Sequence, residues 1–204
     1  MTPDKRREAI IDATLRVMTR KGMAATTVRD VAEEMGTSSG LIHHYVTSMD
    51  ELLASAFEQA AGQDLAATRE SMASAGGPVE RLARFFDGYA RADQDWAFQL
   101  WLDAWSEAGR RPAVRATSYR LNVAWQELIA ETIRQGVAAG LMTCAAPDDV
   151  AWRVLSLLDG LTLQAVAHRT AIDRDAVIEW GAAYAETEVG LPSGALTPPP
   201  AQIS

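Results

Sequence analysis

Cysteine occurs once in this 204-residue sequence, at Cys144. One cysteine cannot form an internal disulfide, and it lacks the neighbouring ligands that a metal site needs. No apolar run approaches the roughly 20 residues of a membrane span. The basic N-terminus is not followed by an apolar segment of the kind that signal peptides carry. These absences predict a cytoplasmic protein that has no membrane partner and depends on its core for stability.

Catalytic motifs are also missing from the sequence. It contains no phosphate-binding loop, no nucleophile elbow and no cluster of metal ligands. The adjacent His43 and His44 cannot share one metal on a helix, because neighbouring side chains point about 100° apart. We therefore predict no enzymatic activity, no cofactor and no bound metal. A helical enzyme that uses an acid–base pair such as His168 with Asp159 stays open as an alternative.

Positive charge is scarce, with a net charge of −8, but it is unevenly distributed. Residues 1–47 contain seven basic residues against six acidic ones, which gives +1 and leaves −9 for the rest of the chain. This asymmetry suits a DNA-facing end attached to a body that DNA does not touch. Lys5, Arg6 and Arg7, at the start of the first predicted helix, either reach phosphates or form a solvated terminus.

Residues 26–45 carry the pattern of two short helices joined by a tight turn. Thr27 and Asp30 can form a capping box at the start of the first helix. Apolar residues then repeat at helical spacing, and Gly36 stands where a left-handed residue commonly ends a helix. A second short helix follows, and either Thr37 or Ser38 can cap its start. This arrangement is typical of a helix-turn-helix, whose second helix lies in the DNA major groove.

The second helix of this pair provides the candidate contacts to DNA. Ser39 and Gly40 are small enough for the backbone to approach the bases, and Ser39 and His43 can hydrogen-bond base edges or phosphates. Helical pairs with this spacing also occur in proteins that bind no DNA. The candidate DNA-binding residues are Thr27, Arg29, Thr37, Ser38, Ser39, Gly40, His43, His44 and Tyr45.

The same stretch resembles the N-terminal domain of TetR-family transcriptional regulators, over about residues 8–55. The matching positions are Ala32-x3-Gly36-x-Ser38-x-Gly40-Leu41-Ile42-x-His44-Tyr45 and then Ser48-x-x-Glu51-Leu52-Leu53. The run GLIHHY resembles the BetI-like branch of that family in particular. A lysine that contacts phosphate usually follows the recognition helix in this family, and Met49 stands in that position here. The resemblance therefore does not extend to this backbone contact.

Helical periodicity, prolines at helix starts and glycines at helix ends predict an all-α chain of about nine helices. The predicted organisation is a three-helix DNA-binding domain at 1–47, a ligand-binding and dimerisation domain at 48–190, and a flexible tail at 191–204. The tail is expected to be loose because it is rich in proline, glycine, alanine and serine. A long helix after Ser48 should link the two domains and transmit a signal between them.

Tryptophan is concentrated in the middle of the body, where Trp101 and Trp105 lie one helical turn apart and share a face. Aromatic residues at such spacing often serve only as core. An apolar cavity with a few polar groups is, however, what a small-molecule site needs, and aromatic faces beside carboxylates favour a cation. The nearby carboxylates are Asp103, Glu107 and Asp159. The candidate ligand-binding residues are Phe86, Tyr89, Trp101, Trp105, Trp125, Gln164 and His168.

The resemblance also implies how such a chain would work. TetR-family bodies commonly hold an inducer among their middle helices, and the BetI-like branch is linked with choline-type ligands. The family dimerises through its last two helices, here predicted at 147–169 and 173–189, and a two-fold operator requires two heads. We therefore predict a homodimeric repressor that binds a palindromic operator in double-stranded DNA and is released by a small molecule, an organic cation. A helical interaction module without a DNA site is the remaining alternative.

Overall fold

A computed structural model describes residues 2–89, 95–168 and 172–197, except for the side chain of His168. These residues form nine helices and no strand, so the predicted all-α fold is confirmed. The helices are α1 (Pro3–Lys21), α2 (Val28–Glu34), α3 (Ser39–Tyr45), α4 (Met49–Ala73), α5 (Pro78–Tyr89), α6 (Asp95–Glu107), α7 (Pro112–Ala138), α8 (Pro147–His168) and α9 (Arg174–Val189).

Helix boundaries follow the capping residues that the sequence supplies. Pro78, Pro112 and Pro147 begin α5, α7 and α8, because proline fits the first helical position and lacks an N–H that would go unpaired there. Asp173 caps α9 by accepting the Ala176 backbone N–H at 2.8 Å. The helix starts and ends were therefore predictable from local chemistry.

The first compact unit consists of Met1–Asp64 and Trp96–Asn122. Its N-terminal part, which we call the head (residues 2–47), is built on buried side chains of α1, α2, α3 and the start of α4. That core consists of Ile10, Ala13, Val31, Ala32, Ile42 and Leu52. The proposed domain boundary after residue 47 falls inside this unit, so the 1–47 domain stays a prediction about function and not a division by contacts.

The second compact unit consists of Leu65–Asp95 and Val123–Ser204. Helices α5, α8 and α9 pack against one another around Leu158 and Phe86, both of which are fully buried. A Cβ placed on Gly181 of α9 would lie 2.5 Å from Leu158 Cδ2 and 3.4 Å from Phe86 Cε1. The helices can approach this closely because α9 has no side chain at that point.

The start of the proposed flexible tail is ordered, which corrects the prediction for residues 191–197. Leu196 is fully buried, and the Glu186 carboxylate accepts the backbone N–H groups of Gly194 at 3.0 Å and Leu196 at 2.8 Å. The composition of the tail suggested looseness, but one apolar side chain and one buried carboxylate hold it against α9. Residues 198–204 lie outside the described part of the chain.

Helix α8 also corrects the statement that no segment reaches the length of a membrane span. Among the described residues, Pro147–Ala167 is long and apolar enough by length and composition, with a mean hydropathy of 1.3. Charged residues interrupt every continuous apolar run in this helix. For that reason, a search of the sequence for unbroken apolar runs did not identify the segment. Core helices of soluble proteins meet the same criterion, and a third of this window is buried within the chain.

Candidate functional site

Local hydrogen bonds fix both ends of α2, including the turn that leads to α3. Thr27 Oγ1 accepts the Asp30 backbone N–H at 3.3 Å, and the Asp30 carboxylate accepts the Thr27 N–H at 3.0 Å. At the other end of α2, the Gly36 N–H donates to the Glu33 carbonyl at 3.1 Å. Gly36 has a φ of 63°, a left-handed conformation that favours glycine. The predicted capping box and glycine turn are both confirmed.

Helix α3 presents most of its predicted DNA-binding residues to solvent. Ile42 is fully buried and attaches the helix to the core of the head. Ser38 occupies the N-cap position, but its hydroxyl makes no capping hydrogen bond and can bind a phosphate instead. The exposed members of the predicted set are Thr27, Arg29, Ser38, Gly40, His43 and His44, and the half-buried members are Thr37, Ser39 and Tyr45.

Two of these residues also have structural roles in the free chain. The Thr27 hydroxyl donates to the Asp30 carboxylate at 2.6 Å, so it is already engaged in the capping box. The Tyr45 ring packs against the core of the head and meets the His44 ring edge to face, with centroids 5.1 Å apart. Replacing either residue would change the head as well as any contact with DNA.

Three of the seven basic residues of the head are paired at 3.0 Å or less with carboxylates of α2. Lys21 Nζ lies 2.6 Å from Asp30, and Arg16 and Arg20 lie 2.8 and 3.0 Å from Glu34. Hydrogen bonds from Lys21 and Thr27 lower the pKa of Asp30 to about 2. The hydrogen bonds from the two arginines, that of Arg16 first, lower the pKa of Glu34. These cations hold α1 to α2 and are not free to bind phosphates.

Four positive charges of the head therefore remain for DNA. The Arg29 side chain is 84% exposed and lies 3.7 Å from Glu33, which is itself mostly exposed. Lys5, Arg6 and Arg7, at the start of α1, form no ion pair with any residue that the structure describes. These four cations are the candidates for phosphate contacts from the head.

Met49 is the first residue of α4 and follows the head in the chain. It is half-buried and packs against the core that Ile42 and Leu52 share. Its apolar side chain accounts for the absence of a lysine at this position, because a charged group there would lose hydration.

Trp101 and Trp105 of α6 belong to an aromatic cluster within the first unit. The Trp101 ring is nearly buried and meets Phe57 of α4 edge to face, with centroids 4.9 Å apart. Trp105 lies 5.6 Å from Trp101 and 6.4 Å from Phe98. Each ring is therefore in contact with other aromatic residues of this unit, as in an ordinary core.

The carboxylates of α6 are engaged in structural contacts. Asp103 Oδ2 accepts the backbone N–H of Met23 at 2.8 Å, which ties α6 to the loop after α1. Glu107 is nearly buried and accepts Arg111 Nε at 2.8 Å. Two of the three carboxylates that the sequence placed near the tryptophans are thus occupied by partners within the first unit.

The third carboxylate lies among aromatic residues of the second unit. Tyr89 of α5 donates its hydroxyl to Asp159 of α8 at 2.6 Å. The Tyr89 ring lies 5.7 Å from Phe85, whose own ring lies 6.3 Å from Trp125 of α7. We call these four residues the aromatic–carboxylate cluster. It joins two of the predicted ligand-binding residues to a carboxylate and a phenylalanine outside that set.

Asp159 has an unusual protonation equilibrium. Burial among apolar groups raises its pKa to about 6, and the hydrogen bond from Tyr89 opposes this shift only in part. An ionised carboxylate in such surroundings is poorly compensated and favours a cation nearby. The cluster therefore has the chemistry of a site for an organic cation, with aromatic faces and one negative charge.

Two buried donors near this cluster have no hydrogen-bond partner. They are Trp125 Nε1 and the hydroxyl of Thr162, which follows Asp159 by three residues on α8. Thr162 was not recognised from the sequence, because an unpaired hydroxyl on an apolar helix leaves no pattern. Asp159 was named from the sequence as a nearby carboxylate but was not included among the candidate ligand-binding residues.

The remaining predicted ligand-binding residues of the second unit are Phe86, Gln164 and His168. Phe86 is fully buried, its ring lies 5.4 Å from that of Phe85, and it approaches α9 at Gly181. Gln164 is exposed on α8. The side chain of His168 lies outside the described residues, and so does any pair that it would form with Asp159. The structure thus places the rings of Tyr89, Phe86 and Trp125 around that of Phe85, whereas Gln164 lies on the exposed surface of α8.

Helices α8 and α9 carry apolar residues on their outer surface. Trp152, Leu163 and Trp180 are 37, 38 and 49% exposed. A shallow groove between the two helices is lined by Trp152, Arg153, Ser156, Leu157 and Tyr184. Large exposed apolar surfaces of this kind usually mark a contact with another molecule.

Comparisons with known proteins agree with this architecture. Residues 10–56 match the family of bacterial regulatory proteins called the tetR family, and residues 78–190 match the C-terminal domain of BetI-type transcriptional repressors. The HTH-type transcriptional regulator BetI of Rhizobium meliloti is 32% identical over 164 residues, covering 78% of this chain and 77% of that protein.

Solved structures show the same fold. A transcriptional regulator from Pseudomonas aeruginosa is 25% identical, with a TM-score of 0.79 over 92% of this chain and 91% of that one. A regulator from Saccharomonospora viridis, crystallised in complex with choline, is 23% identical, with a TM-score of 0.82 over 91% of this chain and 98% of that one. The chain therefore belongs to the TetR family of DNA-binding, ligand-responsive transcriptional regulators, in its BetI-type branch.

Proposed function

We propose that this regulator is a cytoplasmic, homodimeric repressor without enzymatic activity, which binds a palindromic operator through α3 and releases it when an organic cation binds the body. The exposure of α3 on a well-ordered head supports the DNA part. The aromatic–carboxylate cluster supports the cationic effector, and choline in the Saccharomonospora viridis structure supports the chemical class. The observation that carries the proposal is the buried Asp159 carboxylate bound to the Tyr89 hydroxyl, whose ring contacts Phe85 in an aromatic group that also includes Trp125.

The two-fold symmetry of an operator requires two heads at a fixed spacing. We propose that α8 and α9 of two copies pack together through Trp152, Leu163 and Trp180, because these residues leave apolar surface exposed in a single chain. An isologous contact of this kind would cover the groove lined by Leu157 and Tyr184. A second copy, and not lipid, is then the partner of the apolar face of α8.

The DNA part is tested with a fluorescent duplex taken from the region upstream of the chain's own coding sequence. We expect wild-type protein to bind it, choline to weaken binding, and His43→Ala to reduce affinity tenfold or more without changing the melting temperature. Glu179→Ala, on exposed α9 surface, serves as the control. Unchanged affinity for His43→Ala and for the further variant Ser39→Ala would remove α3 as the DNA-binding helix.

The dimer is tested by sedimentation of wild-type protein and of Trp180→Glu. We expect a dimer for the wild type and a monomer for the variant, because burying an unpaired carboxylate in an apolar contact is unfavourable. Leu141→Glu places the same charge on another half-exposed apolar residue and should leave the dimer intact. A monomeric wild type at micromolar concentration would refute the proposed assembly.

A further inference from the structure

The body of the protein, residues 48–204, carries a net charge of −9 but contains one strongly basic stretch. Residues 108–126 include no acidic residue and four arginines, which are Arg110, Arg111, Arg115 and Arg120. This stretch covers the turn between α6 and α7 and the first turns of α7. Positive charge concentrated on an otherwise acidic body favours a partner of the opposite sign.

Two of these arginines present their charge to solvent. The nearly buried Glu107 accepts Arg111 Nε at 2.8 Å, so its carboxylate is already occupied. The Arg110 side chain is 76% exposed and lies 3.7 Å from the same carboxylate. Arg115 is exposed and forms no ion pair with any residue that the structure describes. Arg110 and Arg115 are therefore available to a partner outside the chain.

Contacts within the first compact unit place the start of α7 beside the start of α4. Asp50, the second residue of α4, accepts the backbone N–H of Ala113 at 3.0 Å. About two turns further along each helix, Glu58 of α4 pairs with Arg120 of α7 at 3.0 Å. The two helices therefore run side by side in the same direction. Because α3 ends at Tyr45, shortly before Asp50, the start of α7 lies close to the helix that we propose to bind DNA.

A second contact attaches the other side of this turn to the head. Asp103, one helical turn before Glu107, accepts the backbone N–H of Met23 at 2.8 Å. Met23 belongs to the loop that leads to Thr27, the exposed N-cap of α2. The turn between α6 and α7 is thus held against the loop after α1 and against the first turn of α4. Arg110 lies within this turn, and Arg115 follows it directly.

The stability of α7 does not account for these two arginines. Cations near the N-terminus of a helix oppose its dipole and are unfavourable there. Arg110 precedes α7 by two residues, and Arg115 is its fourth residue. Since neither is held by a buried carboxylate of its own, their positions are better explained by binding than by folding.

We propose that Arg110 and Arg115 bind the phosphate backbone of the operator DNA, as contacts from the body that supplement those of the head. Arginine remains charged and matches the geometry of a phosphate group. Each head offers four cations that α2 does not hold, and the body would add two. This inference rests on the proposed binding of DNA through α3. It amends the expectation that DNA touches only the head.

The test measures DNA affinity at several salt concentrations by fluorescence anisotropy, for the wild type and for the double variant Arg110→Ala/Arg115→Ala. The probe is the duplex from the region upstream of the coding sequence. We expect the slope of log affinity against log salt to fall by about 1.8 per subunit, as for two lost phosphate contacts. A random-sequence duplex of equal length should lose affinity by the same factor, because phosphate contacts carry no sequence information. An unchanged slope would overturn the proposal.

Two control variants separate a local contact from a change in overall charge. Arg69→Ala removes an exposed arginine from the part of α4 that belongs to the second unit, and it should leave the slope unchanged. Arg110→Lys/Arg115→Lys keeps both charges and should retain the wild-type slope. An equal reduction of the slope in Arg69→Ala and Arg115→Ala would show an effect of net charge and overturn the proposal.

Sedimentation of the double alanine variant tests the competing assignment. We expect it to show the same oligomeric state as the wild type. A change to monomer would assign the two arginines to a contact between copies of the chain and would overturn their role at DNA.

The results also distinguish this contact from the proposed role of α3. If the double variant binds like the wild type while His43→Ala weakens binding, only the contact from the body is overturned. If the wild type binds neither duplex, the proposed function is overturned together with it.

Discussion

Gly36 carries the sharpest conformational requirement in the head. Its φ of 63° places it in the left-handed region, where a Cβ costs about 1 kcal/mol or more. No atom lies within 4 Å of the position that a Cβ would occupy, so the requirement is one of backbone conformation and not of space. We expect Gly36→Ala to lower the free energy of unfolding by about 1 kcal/mol in urea titrations.

Gly62 offers a matched control within α4. It also has open space at the position of a Cβ, but its φ is that of an ordinary helix. Gly62→Ala should therefore raise the free energy of unfolding by roughly 0.5–1 kcal/mol, because alanine loses less backbone entropy in a helix. A Gly36→Ala protein as stable as Gly62→Ala would contradict the role assigned to the turn.

Asp159 makes a prediction about pH. Its raised pKa of about 6 means that it is largely neutral at pH 5 and ionised at pH 7.5. We expect the affinity for choline to rise by about tenfold across this interval, since only the ionised form attracts a cation. Calorimetry at the two pH values measures the change, and Asp159→Asn should remove most of it. A pH-independent affinity in the wild type would exclude Asp159 as the counter-ion.

The same carboxylate has the opposite effect on the stability of the ligand-free fold. The folded-state pKa lies above the unfolded value of 3.8. The protonated form therefore contributes stability that is fully present below about pH 4 and is lost as the pH rises through 6. A bound cation offsets this loss, so added choline should stabilise the protein more at pH 7.5 than at pH 5.

Local chemistry explains which residues could be assigned from the sequence. Interactions with neighbours within three residues determine the structural roles of Thr27, Asp30 and Gly36. These roles were therefore predicted correctly. Thr162 depends on what the fold leaves unpaired, and no local pattern records that. Met49 could be recognised from the sequence as a departure from the family's lysine, whereas its packing against the core of the head could not.

The side chain of Asp103 ties helix α6 to the head. Asp103 accepts the N–H of Met23, a fully buried residue that follows the end of α1. Asp103→Ala should raise the hydrogen-exchange rate of the Met23 amide about tenfold or more, because the charge-assisted hydrogen bond that protects it is lost. Mass-spectrometric exchange over residues 22–27 measures the effect.

Gln99 provides the comparison for this contact. Its amide approaches the other Asp103 oxygen at 3.3 Å on the exposed side of α6. Gln99→Ala should leave exchange at Met23 within about twofold of the wild-type rate, since the hydrogen bond to the amide is retained. If Asp103→Ala also leaves exchange unchanged, α6 does not hold the loop after α1.

The nine helices were predictable because prolines, glycines and capping side chains mark their ends. Contacts between helices were less accessible to sequence reasoning. The pairing of Arg16, Arg20 and Lys21 with α2 requires knowing which faces of α1 and α2 meet. The sequence predicted a single aromatic site that included both Trp101 and Trp125. In the structure, Trp101 and Trp125 belong to different compact units.

The charge balance of the whole molecule predicts how DNA binding responds to salt. Arg29 is exposed and weakly paired, whereas Arg16 is held by Glu34. Arg29→Ala should reduce the slope of log affinity against log salt by about 0.9 per subunit, as expected for one phosphate contact. Arg16→Ala should leave that slope unchanged and lower the melting temperature of the head. Fluorescence anisotropy at several salt concentrations measures both slopes. A reduced slope for Arg16→Ala and an unchanged slope for Arg29→Ala would place Arg16 at the DNA.

The anchored segment 191–197 has a practical consequence for anyone who truncates or tags this regulator. The recognisable family domain ends at residue 190, but the Glu186 carboxylate and the site that buries Leu196 are satisfied only by residues beyond it. A protein truncated after residue 190 would lack the side chain of Leu196 and leave its apolar site empty. The Glu186 carboxylate on α9 would also lose its two backbone hydrogen bonds. Purification handles and reporter fusions should therefore leave residues 191–197 in place.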